Sequence, residues 1–289
     1  MTNNNPHTYY IIGPTAIGKS NYAIELAKKI NGEIISADAY QVYKYMNIGT
    51  GKVTQQQQQE IPHHLLDILT PDQNYNVTDF LKKTNLIIKS LNKKNKQAII
   101  CGGNGLYLQA FLYNYRFPTA KSEPKIRAAL ENTYIKKGKE YLWTYLNKID
   151  PNSAKNIHPN NKHHLLRCIE IYEITKQIPS EIKKKSITIR PNTKLIGLNS
   201  TRNVVKKLIS TRVDNMIKAG LIDEVNSLLK KGYDPSLPAL NCIGYKEVIS
   251  HLKGIIDKQD MIELIKSNSN QFSKRQLTWF KKIENISWL

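Results

Sequence analysis

The sequence is poor in acidic residues, and this shortage narrows the range of its partners. Its 23 aspartate and glutamate residues stand against 43 lysine and arginine residues, which gives a formal net charge of +20 over 289 residues. A field of this sign attracts polyanions over a screening length of about 8 Å in physiological salt. A lysine-rich composition can also follow from genome base composition. The charge therefore supports a nucleic-acid partner without establishing one.

Cysteine is also scarce, and long apolar runs are missing. Cys101, Cys168 and Cys242 are far apart, odd in number and without a Cys-x-x-Cys pair, so neither a disulfide framework nor a zinc knuckle is predicted. No segment reaches the ~20 apolar residues that cross a bilayer, and the N-terminal MTNNNPH lacks the apolar stretch of a signal peptide. We expect a cytoplasmic protein without membrane attachment, and a monomer by default.

Four short apolar runs indicate the strands of a sheet. They cover residues 9–12, 33–36, 98–101 and 195–198. Helical patterns separate the strands, beginning with residues 20–30, and this alternation is typical of βαβ units with parallel strands. We therefore predict an α/β fold with a parallel sheet flanked by helices.

Strand signals disappear between residues 118 and 189, where lysine-rich helical patterns cover residues 125–139, 140–148 and 162–176. We predict an inserted all-helical subdomain at 118–189, between core parts 1–117 and 190–289. The second core part is expected to hold one long helix over residues 204–231, ending before Gly232, and a basic helix over residues 260–282. The glutamine tract 55–59 is predicted to be a solvated loop tip.

A glycine-rich segment between the first predicted strand and helix has the phosphate-loop pattern Gly-x-x-x-x-Gly-Lys-Ser. Its backbone amides can form an anion-binding concavity, its lysine adds a point charge, and its serine hydroxyl can bind Mg²⁺. This motif places the sheet in the P-loop, nucleotide-kinase-like class. The predicted diphosphate-binding residues are Gly13, Pro14, Thr15, Ala16, Ile17, Gly18, Lys19 and Ser20.

A carboxylate follows the second predicted strand. The strand 98–101 runs into a glycine-rich turn without an acid, whereas Asp38 comes directly after strand 33–36. Ligands of open parallel sheets bind outside the carboxyl ends of the strands, so Asp38 is expected to face that crevice. Its role could be that of a general base, a metal ligand or a helix cap.

Together with further motifs, these features give a chain that resembles the tRNA dimethylallyltransferase family, also called tRNA isopentenyltransferases. The motifs are GPTAIGKS, ADAYQVYKYMNIGTGK, IPHHLLD, GGNGLY, HPNNKHHLLRCIEIYEIT, STRVDNMIKAGLIDEV, IGYKE and SKRQLTWF. They follow the order of the family and span nearly the whole chain, so the match is far more specific than a phosphate loop alone.

The resemblance implies transfer of the dimethylallyl group from dimethylallyl diphosphate to the exocyclic amine of the adenosine 3′-adjacent to the anticodon in tRNA. Asp38 would hydrogen-bond this weak nucleophile and accept its proton. Lys19, the loop amides and Arg212 would stabilise the departing diphosphate, with Mg²⁺ as cofactor on Ser20. Asn104 is the fourth implied catalytic residue, because its amide can still donate a hydrogen bond to diphosphate.

The resemblance also implies contacts with the anticodon stem-loop of tRNA. The target base lies in a stacked loop, so the enzyme must extrude it to reach the amine. Lys274 and Arg275 in the basic C-terminal helix are candidates for phosphate contacts, with a solvated charged face as the equal alternative. The implied tRNA-binding residues are Asp38, Ala39, Tyr40, Gln41, Asn104, Arg127, His163, His164 and Arg167.

Several positions depart from the family pattern. Ala39 replaces a serine, Asn104 a threonine, His163-His164 a Gln-Arg pair, and Asn270 an arginine. These changes bear on rate, substrate preference and the strength of tRNA contacts rather than on reaction type. The Cys- and His-rich C-terminal extension of some members is not found, so no structural zinc is expected.

Two other functions share part of this signal. A small-molecule kinase would use the same phosphate loop and Mg²⁺ but would need a nucleotide-base pocket and a phosphoryl acceptor, for which no motif is found. A noncatalytic RNA-binding protein would account for the charge and for Ala39 and Asn104. Retention of Lys19, Ser20, Asp38 and Arg212 argues against it.

Overall fold

The computed structural model describes residues 7–118, 123–182 and 188–289. The chain divides into two compact units, one made of Met1–Leu112 with Arg190–Leu289 and the other of Tyr113–Ile189. The second unit begins at Tyr113, whereas the predicted insertion begins at residue 118. The polar segment 1–6, for which no signal peptide is predicted, lies outside the described residues, as do residues 119–122 and 183–187 of the predicted insertion.

The first unit is built on a parallel sheet of six strands. The spatial order of the strands is β3-β2-β4-β1-β5-β6. Every pairing is parallel, and β1 lies between β4 and β5. The predicted α/β class and its four parallel strands are confirmed. The strands are β1 (Thr8–Ile12), β2 (Gly32–Ser36), β3 (His63–His64), β4 (Gln97–Cys101), β5 (Thr193–Gly197) and β6 (Ser287–Trp288).

The strands β3 and β6 were not predicted because a strand of two residues carries no readable alternation.

The helices follow the strands in the expected alternation, with short additional turns. The helices of the described residues are α1 (Lys19–Ile30), α2 (Gln55–Glu60), α3 (Val77–Lys93), α4 (Gly105–Leu112), α5 (Pro124–Ile149), α6 (Pro151–Asn156), α7 (Lys162–Thr175), α8 (Pro179–Ile182), α9 (Arg202–Lys218), α10 (Leu221–Lys230), α11 (Tyr245–Leu252) and α12 (Lys258–Phe280), with a 3-10 turn at Pro238–Asn241.

The core of the first unit forms where helix α1 packs on the sheet. Ala23 and Ile24 of α1 contact the buried side chains of Ile11, Ile34 and Ile99. Strands that are covered on both faces bury nearly all their positions, which is why their centres appear in the sequence as short apolar runs. Burying each such side chain stabilises the fold by about 1.5–3 kcal/mol. This rigid centre fixes where each strand ends and therefore where the following loop begins.

The regular elements among the described residues of the second unit are the helices α5 to α8. Helices α5 and α7 pack through a separate apolar cluster that includes Leu142, Leu146, Leu165 and Ile169. The predicted break between two helices at residues 139 and 140 corresponds to a kink at Gly138, which has a left-handed φ of 84°. Glycine adopts this conformation without a steric penalty.

Two predictions in the first unit are wrong in detail. The single helix expected over residues 204–231 is two helices, α9 and α10, because Gly220 has a φ of 93° and ends the helical path. The glutamine tract expected to be a loop tip is helix α2. Thr54 and Gln57 form a capping box there, with reciprocal hydrogen bonds that satisfy the first amides of the helix.

No described helix combines the length and the apolar character that a membrane crossing requires.

Replacement of Gly220 tests the origin of the break between α9 and α10. We expect Gly220→Ala to lower the free energy of unfolding by about 1–2 kcal/mol, because a left-handed backbone is costly for residues with a Cβ atom. Gly220→Asn should lower the free energy of unfolding by a smaller amount, since asparagine tolerates this conformation. Urea denaturation of the two variants and the wild type measures the difference. Equal stability of all three proteins would contradict this explanation.

Candidate active site

Three loops meet at the carboxyl edge of the sheet and line one cavity of about 540 Å³. The glycine-rich loop follows β1, Asp38 follows β2, and Gly102 and Gly103 follow β4. Arg212 enters the same cavity from helix α9. Parallel strands direct their carboxyl ends to one edge, so loops distant in sequence converge there.

The predicted phosphate loop has the backbone shape of an anion-binding concavity. Ala16 and Gly18 have left-handed φ values of 66° and 91°, so successive amides can turn towards one point. Gly13 leaves no space for a Cβ atom, which would overlap the carbonyl oxygen of Leu198. Of the eight predicted residues, Gly13, Pro14 and Ile17 form the loop without lining the cavity. The lining residues are Thr15, Ala16, Gly18, Lys19 and Ser20.

Lys19 provides positive charge at the base of the loop. Its Nζ atom donates a hydrogen bond to the carbonyl oxygen of Pro14 at 2.7 Å. Burial of the ammonium lowers the pKa of Lys19 to about 8, and the nearby Arg212 adds to this effect, whereas Cys101 and Asp38 oppose it. A pKa near neutral pH means that the charge of Lys19 is sensitive to whatever occupies the cavity.

Asp38 combines a structural contact with an electrostatic one. Its Oδ1 atom accepts hydrogen bonds from the backbone amides of Tyr40 at 2.8 Å and Gln41 at 3.3 Å. Its negative charge also acts on Lys19 and Arg212, where it partly offsets the lowering of each pKa by burial. These bonds close the turn that follows β2. Asp38 is not a helix cap, because the next helix is α2 at Gln55–Glu60. The turn uses Oδ1, and the carboxylate still lines the cavity.

Arg212 is held against the loop that precedes α2. Its Nη2 atom donates to the carbonyl oxygen of Thr50 at 3.4 Å. Burial lowers the pKa of the guanidinium, and Asp38 partly offsets this. Gly51, with a φ of 60°, allows the close approach, because a Cβ atom there would overlap the guanidinium. The side chain does not lie on a solvated helix face, which is the usual position for a helical arginine.

Gln41 also lies in the cavity wall, but its side chain is engaged with the protein. Its Oε1 accepts from the Ser36 hydroxyl at 2.9 Å, and its Nε2 donates to the carbonyl oxygens of Thr50 and Gly51. These bonds connect the end of β2 to the loop that contacts Arg212. Any contact with a base would have to share or replace them.

Three predicted residues are near the cavity in sequence but do not line it. Ala39 and Tyr40 continue the turn after Asp38, and burial raises the pKa of Tyr40 above its ordinary value. Asn104 caps helix α4, where its Oδ1 accepts the amide of Tyr107 at 3.2 Å. A shorter threonine side chain could also cap this helix.

The predicted tRNA-binding residues of the second unit form one cluster. Arg127 and Arg167 both contact the buried carboxylate of Glu170, at 3.6 and 2.9 Å. The rings of His163 and His164 lie 5.7 Å apart. Loss of solvent lowers the pKa of His163, and the positive charge of Arg127 adds to this. In the first unit, Lys274 and Arg275 are exposed on α12.

Two side chains that hold the loops around the cavity were not assigned a role from the sequence. Glu224 of α10 accepts hydrogen bonds from the amides of Asn47, Ile48 and Gly49 and from the Tyr245 hydroxyl at 2.6 Å. Gln276 of α12 lines the cavity and contacts two of its loops. The sequence contains one signal for Gln276, because it is a polar residue within the buried stripe of α12.

Comparison with known proteins identifies relatives over almost the whole chain. The model of the IPP transferase family matches residues 41–283. A tRNA dimethylallyltransferase from Thermoanaerobacter sp. (strain X514) is 43% identical over 285 residues, covering 96% of this chain and 90% of the relative. The match to the family model begins after Asp38 and therefore does not include the phosphate loop.

Two solved structures share the fold. A tRNA delta(2)-isopentenylpyrophosphate transferase from Staphylococcus epidermidis is 41% identical with a TM-score of 0.71, and the match covers 98% of this chain and 92% of that one. A eukaryotic dimethylallyltransferase, described as acting on tRNA, is 30% identical with a TM-score of 0.84 and coverages of 98% and 73%.

The contact between Gly51 and Arg212 can be tested with a matched pair of variants. We expect Gly51→Ala to weaken binding of inorganic diphosphate about tenfold or more, because the displaced guanidinium loses a charge-assisted contact with the anion. Gly254→Ala is the control, since Gly254 has a similar φ of 72° and no atom within 4 Å of the added Cβ. Isothermal titration calorimetry measures both. Equal affinities of the two variants would contradict the role of this contact.

Proposed function

The chain belongs to the IPP transferase family of tRNA dimethylallyltransferases, and we propose that it transfers the dimethylallyl group of dimethylallyl diphosphate to adenosine in tRNA. The acceptor is the exocyclic amine of the adenosine 3′-adjacent to the anticodon. The products are isopentenyladenosine and diphosphate. Family membership favours this reaction over a small-molecule kinase or a noncatalytic RNA-binding protein.

The single observation that carries the proposal is that Lys19, Arg212 and the carboxylate of Asp38 line one cavity. Lys19 and Arg212 suit a diphosphate, and Asp38 suits an amine that must lose a proton. A kinase would need cations for phosphates as well, but the apolar side chains of Met216 and Phe272 in the same lining suit a prenyl group.

The reaction forms a bond from the adenine amine nitrogen to the allylic carbon of the substrate. The bond between that carbon and the diphosphate oxygen breaks, and its electron pair leaves with diphosphate. Lys19, Arg212 and the amides of the phosphate loop stabilise the negative charge of the leaving group. Asp38 accepts the proton that the amine loses, through the carboxylate oxygen that does not cap the turn.

We further propose Mg²⁺ as cofactor, with the Ser20 hydroxyl as a protein ligand. Ser20 lines the cavity beside the phosphate loop. Among the described residues, no group of three or more His, Cys, Asp or Glu side chains could hold a metal. This fits Mg²⁺, which is commonly bound by one or two protein oxygens, water and substrate phosphates rather than by a protein cage. When bound, the ion would neutralise charge on the diphosphate.

The proposed tRNA contacts involve both units. Arg127, Arg167 and the two histidines of the second unit present a basic cluster, and positive charge of this kind positions a phosphate backbone. Gln41 would contact the extruded base from the cavity wall. We propose that the protein acts as a monomer in the cytoplasm, where tRNA is processed.

The direct test combines purified protein, dimethylallyl diphosphate, unmodified tRNA and Mg²⁺, followed by mass analysis of the nucleosides. We expect prenylated adenosine, and loss of product when Mg²⁺ is chelated. Asp38→Asn should lower kcat by about a hundredfold or more, because the amide keeps the turn but cannot accept the proton. Asp72→Asn, a change at an exposed aspartate in a loop, is the control.

The outcomes of this test separate the two parts of the proposal. Absence of prenylated adenosine with wild-type protein that binds tRNA would reject the reaction. Wild-type kcat in Asp38→Asn would reject the role of Asp38 as base and leave the reaction intact.

The lowered pKa of Lys19 predicts a pH dependence of substrate binding. Below pH 8 Lys19 is protonated and attracts diphosphate, and above pH 8 it becomes neutral, so affinity falls as the pH rises. At pH 9 binding of dimethylallyl diphosphate should be about tenfold weaker than at low pH, since one pH unit above the pKa leaves about a tenth of the charge. Lys19→Met should bind weakly with little dependence on pH. Isothermal titration calorimetry at constant Mg²⁺ concentration and ionic strength measures the affinity of the wild type and of Lys19→Met at each pH. A flat wild-type profile between pH 7 and 9 would refute the prediction.

A further inference from the structure

The side chain of Gln276 connects helix α12 to two loops of the active site. Its Oε1 atom accepts a hydrogen bond from the backbone amide of Thr15 in the phosphate loop at 2.8 Å. Its Nε2 atom donates to the carbonyl oxygen of Gly103, after strand β4, at 2.9 Å. Gln276 is only 4% exposed and lies more than 170 residues from both partners in the sequence.

The turn at Gly102 and Gly103 is shaped to receive this side chain. A Cβ atom on Gly103 would overlap Nε2 of Gln276, so a glycine is required for the contact. A Cβ atom on Gly105 would meet the Trp279 side chain, one turn further along α12. Helix α12 therefore packs closely against this glycine-rich segment through Gln276 and, one helical turn later, through Trp279. Gln276 provides the polar contact.

The same turn contacts the strand that leads to Asp38. A Cβ atom on Gly102 would overlap the backbone of Ala37, and the amide of Asn104 donates to the Ala37 carbonyl oxygen at 3.3 Å. The turn thus lies between the phosphate loop, through Gln276, and the residue directly before Asp38. Its position determines the spacing between the diphosphate cradle and the carboxylate.

Only a neutral side chain that carries both a donor and an acceptor satisfies both bonds, as the carboxamide of Gln276 does. A carboxylate can accept from the Thr15 amide but cannot donate to the Gly103 carbonyl, and an apolar side chain leaves both backbone groups unpaired in a buried place. This requirement explains a polar residue within the apolar stripe of α12. It also means that the effect of a titratable substitute at position 276 should depend on pH, and this dependence reports on the hydrogen bond to Gly103.

We propose that Gln276 is a positioning residue for prenyl transfer, one that fixes the phosphate loop relative to Asp38. This inference rests on the proposed function. Gln276 acts through Thr15 and Gly103, and its removal lets the two loops separate. The distance between the leaving group and the base then varies, so the chemical step slows while tRNA binding does not change.

Two variants test this role, each compared with wild type at the same pH. In Gln276→Leu we expect kcat to fall about tenfold or more at pH 6 and pH 8, with the Kd for tRNA unchanged. In Gln276→Glu we expect a similar loss at pH 8 that is smaller at pH 6, because a protonated carboxyl can again donate to Gly103 and burial raises its pKa. Gln259→Glu, at an exposed position near the start of α12, is the matched control for added charge.

Three results would overturn the inference. The first is wild-type kcat in Gln276→Leu. The second is a loss in Gln276→Glu that is the same at both pH values, which would show that donation to Gly103 is unimportant. The third is loss of the wild-type circular dichroism spectrum in both variants, which would assign Gln276 to folding. Wild-type protein without transfer activity would instead reject the proposed function itself, so the two failures are distinguishable.

Discussion

The charge balance of the cavity is the constraint on which the rest of the site depends. Lys19 and Arg212 are placed beside one carboxylate, Asp38, at the edge of a buried sheet. Burial lowers the pKa of both cations, so keeping them charged without a ligand is unfavourable. An anion bound in the cavity supplies the missing negative charge and favours the protonated form of Lys19. In the reaction that we propose, the same arrangement would bind the diphosphate and stabilise its departure.

The cavity is made of loops, and side chains from later helices hold these loops in place. Glu224 accepts the amides of residues 47–49, while Gln276 bridges Thr15 and Gly103. Gln41 connects the end of β2 to Thr50, whose carbonyl oxygen also receives Arg212. Each brace satisfies backbone hydrogen-bonding groups of the loops that it holds. The phosphate loop and Asp38 come early in the chain, but their geometry depends on helices that come at its end.

The departures from the family pattern have different structural consequences. Ala39 belongs to the turn after Asp38 and does not line the cavity. The hydroxyl of the family's serine is therefore lost without a substitute from Ala39. Asn104 uses its side-chain oxygen to cap α4. This bond orients the amide group and restricts what its nitrogen can reach. The two histidines adjoin a cluster in which Glu170 already binds Arg127 and Arg167, so the arginines are held in position before any nucleic acid binds.

The sequence by itself determined the fold class and the four main strands, and it predicted the phosphate loop and Asp38 that the structure brings to one cavity. Buried parallel strands are continuous apolar runs, and a phosphate loop has fixed glycine and lysine positions, so both are readable from local patterns. The break at Gly220 and the helix at the glutamine tract were misjudged, because single-residue backbone conformation and capping overrode periodicity. Only the tertiary structure decided that Arg212 faces Gly51, that Glu224 binds the 47–49 loop, and that Gln276 joins two loops. These contacts join residues that are distant in the chain, and no local pattern encodes which distant backbone group a buried polar side chain will meet.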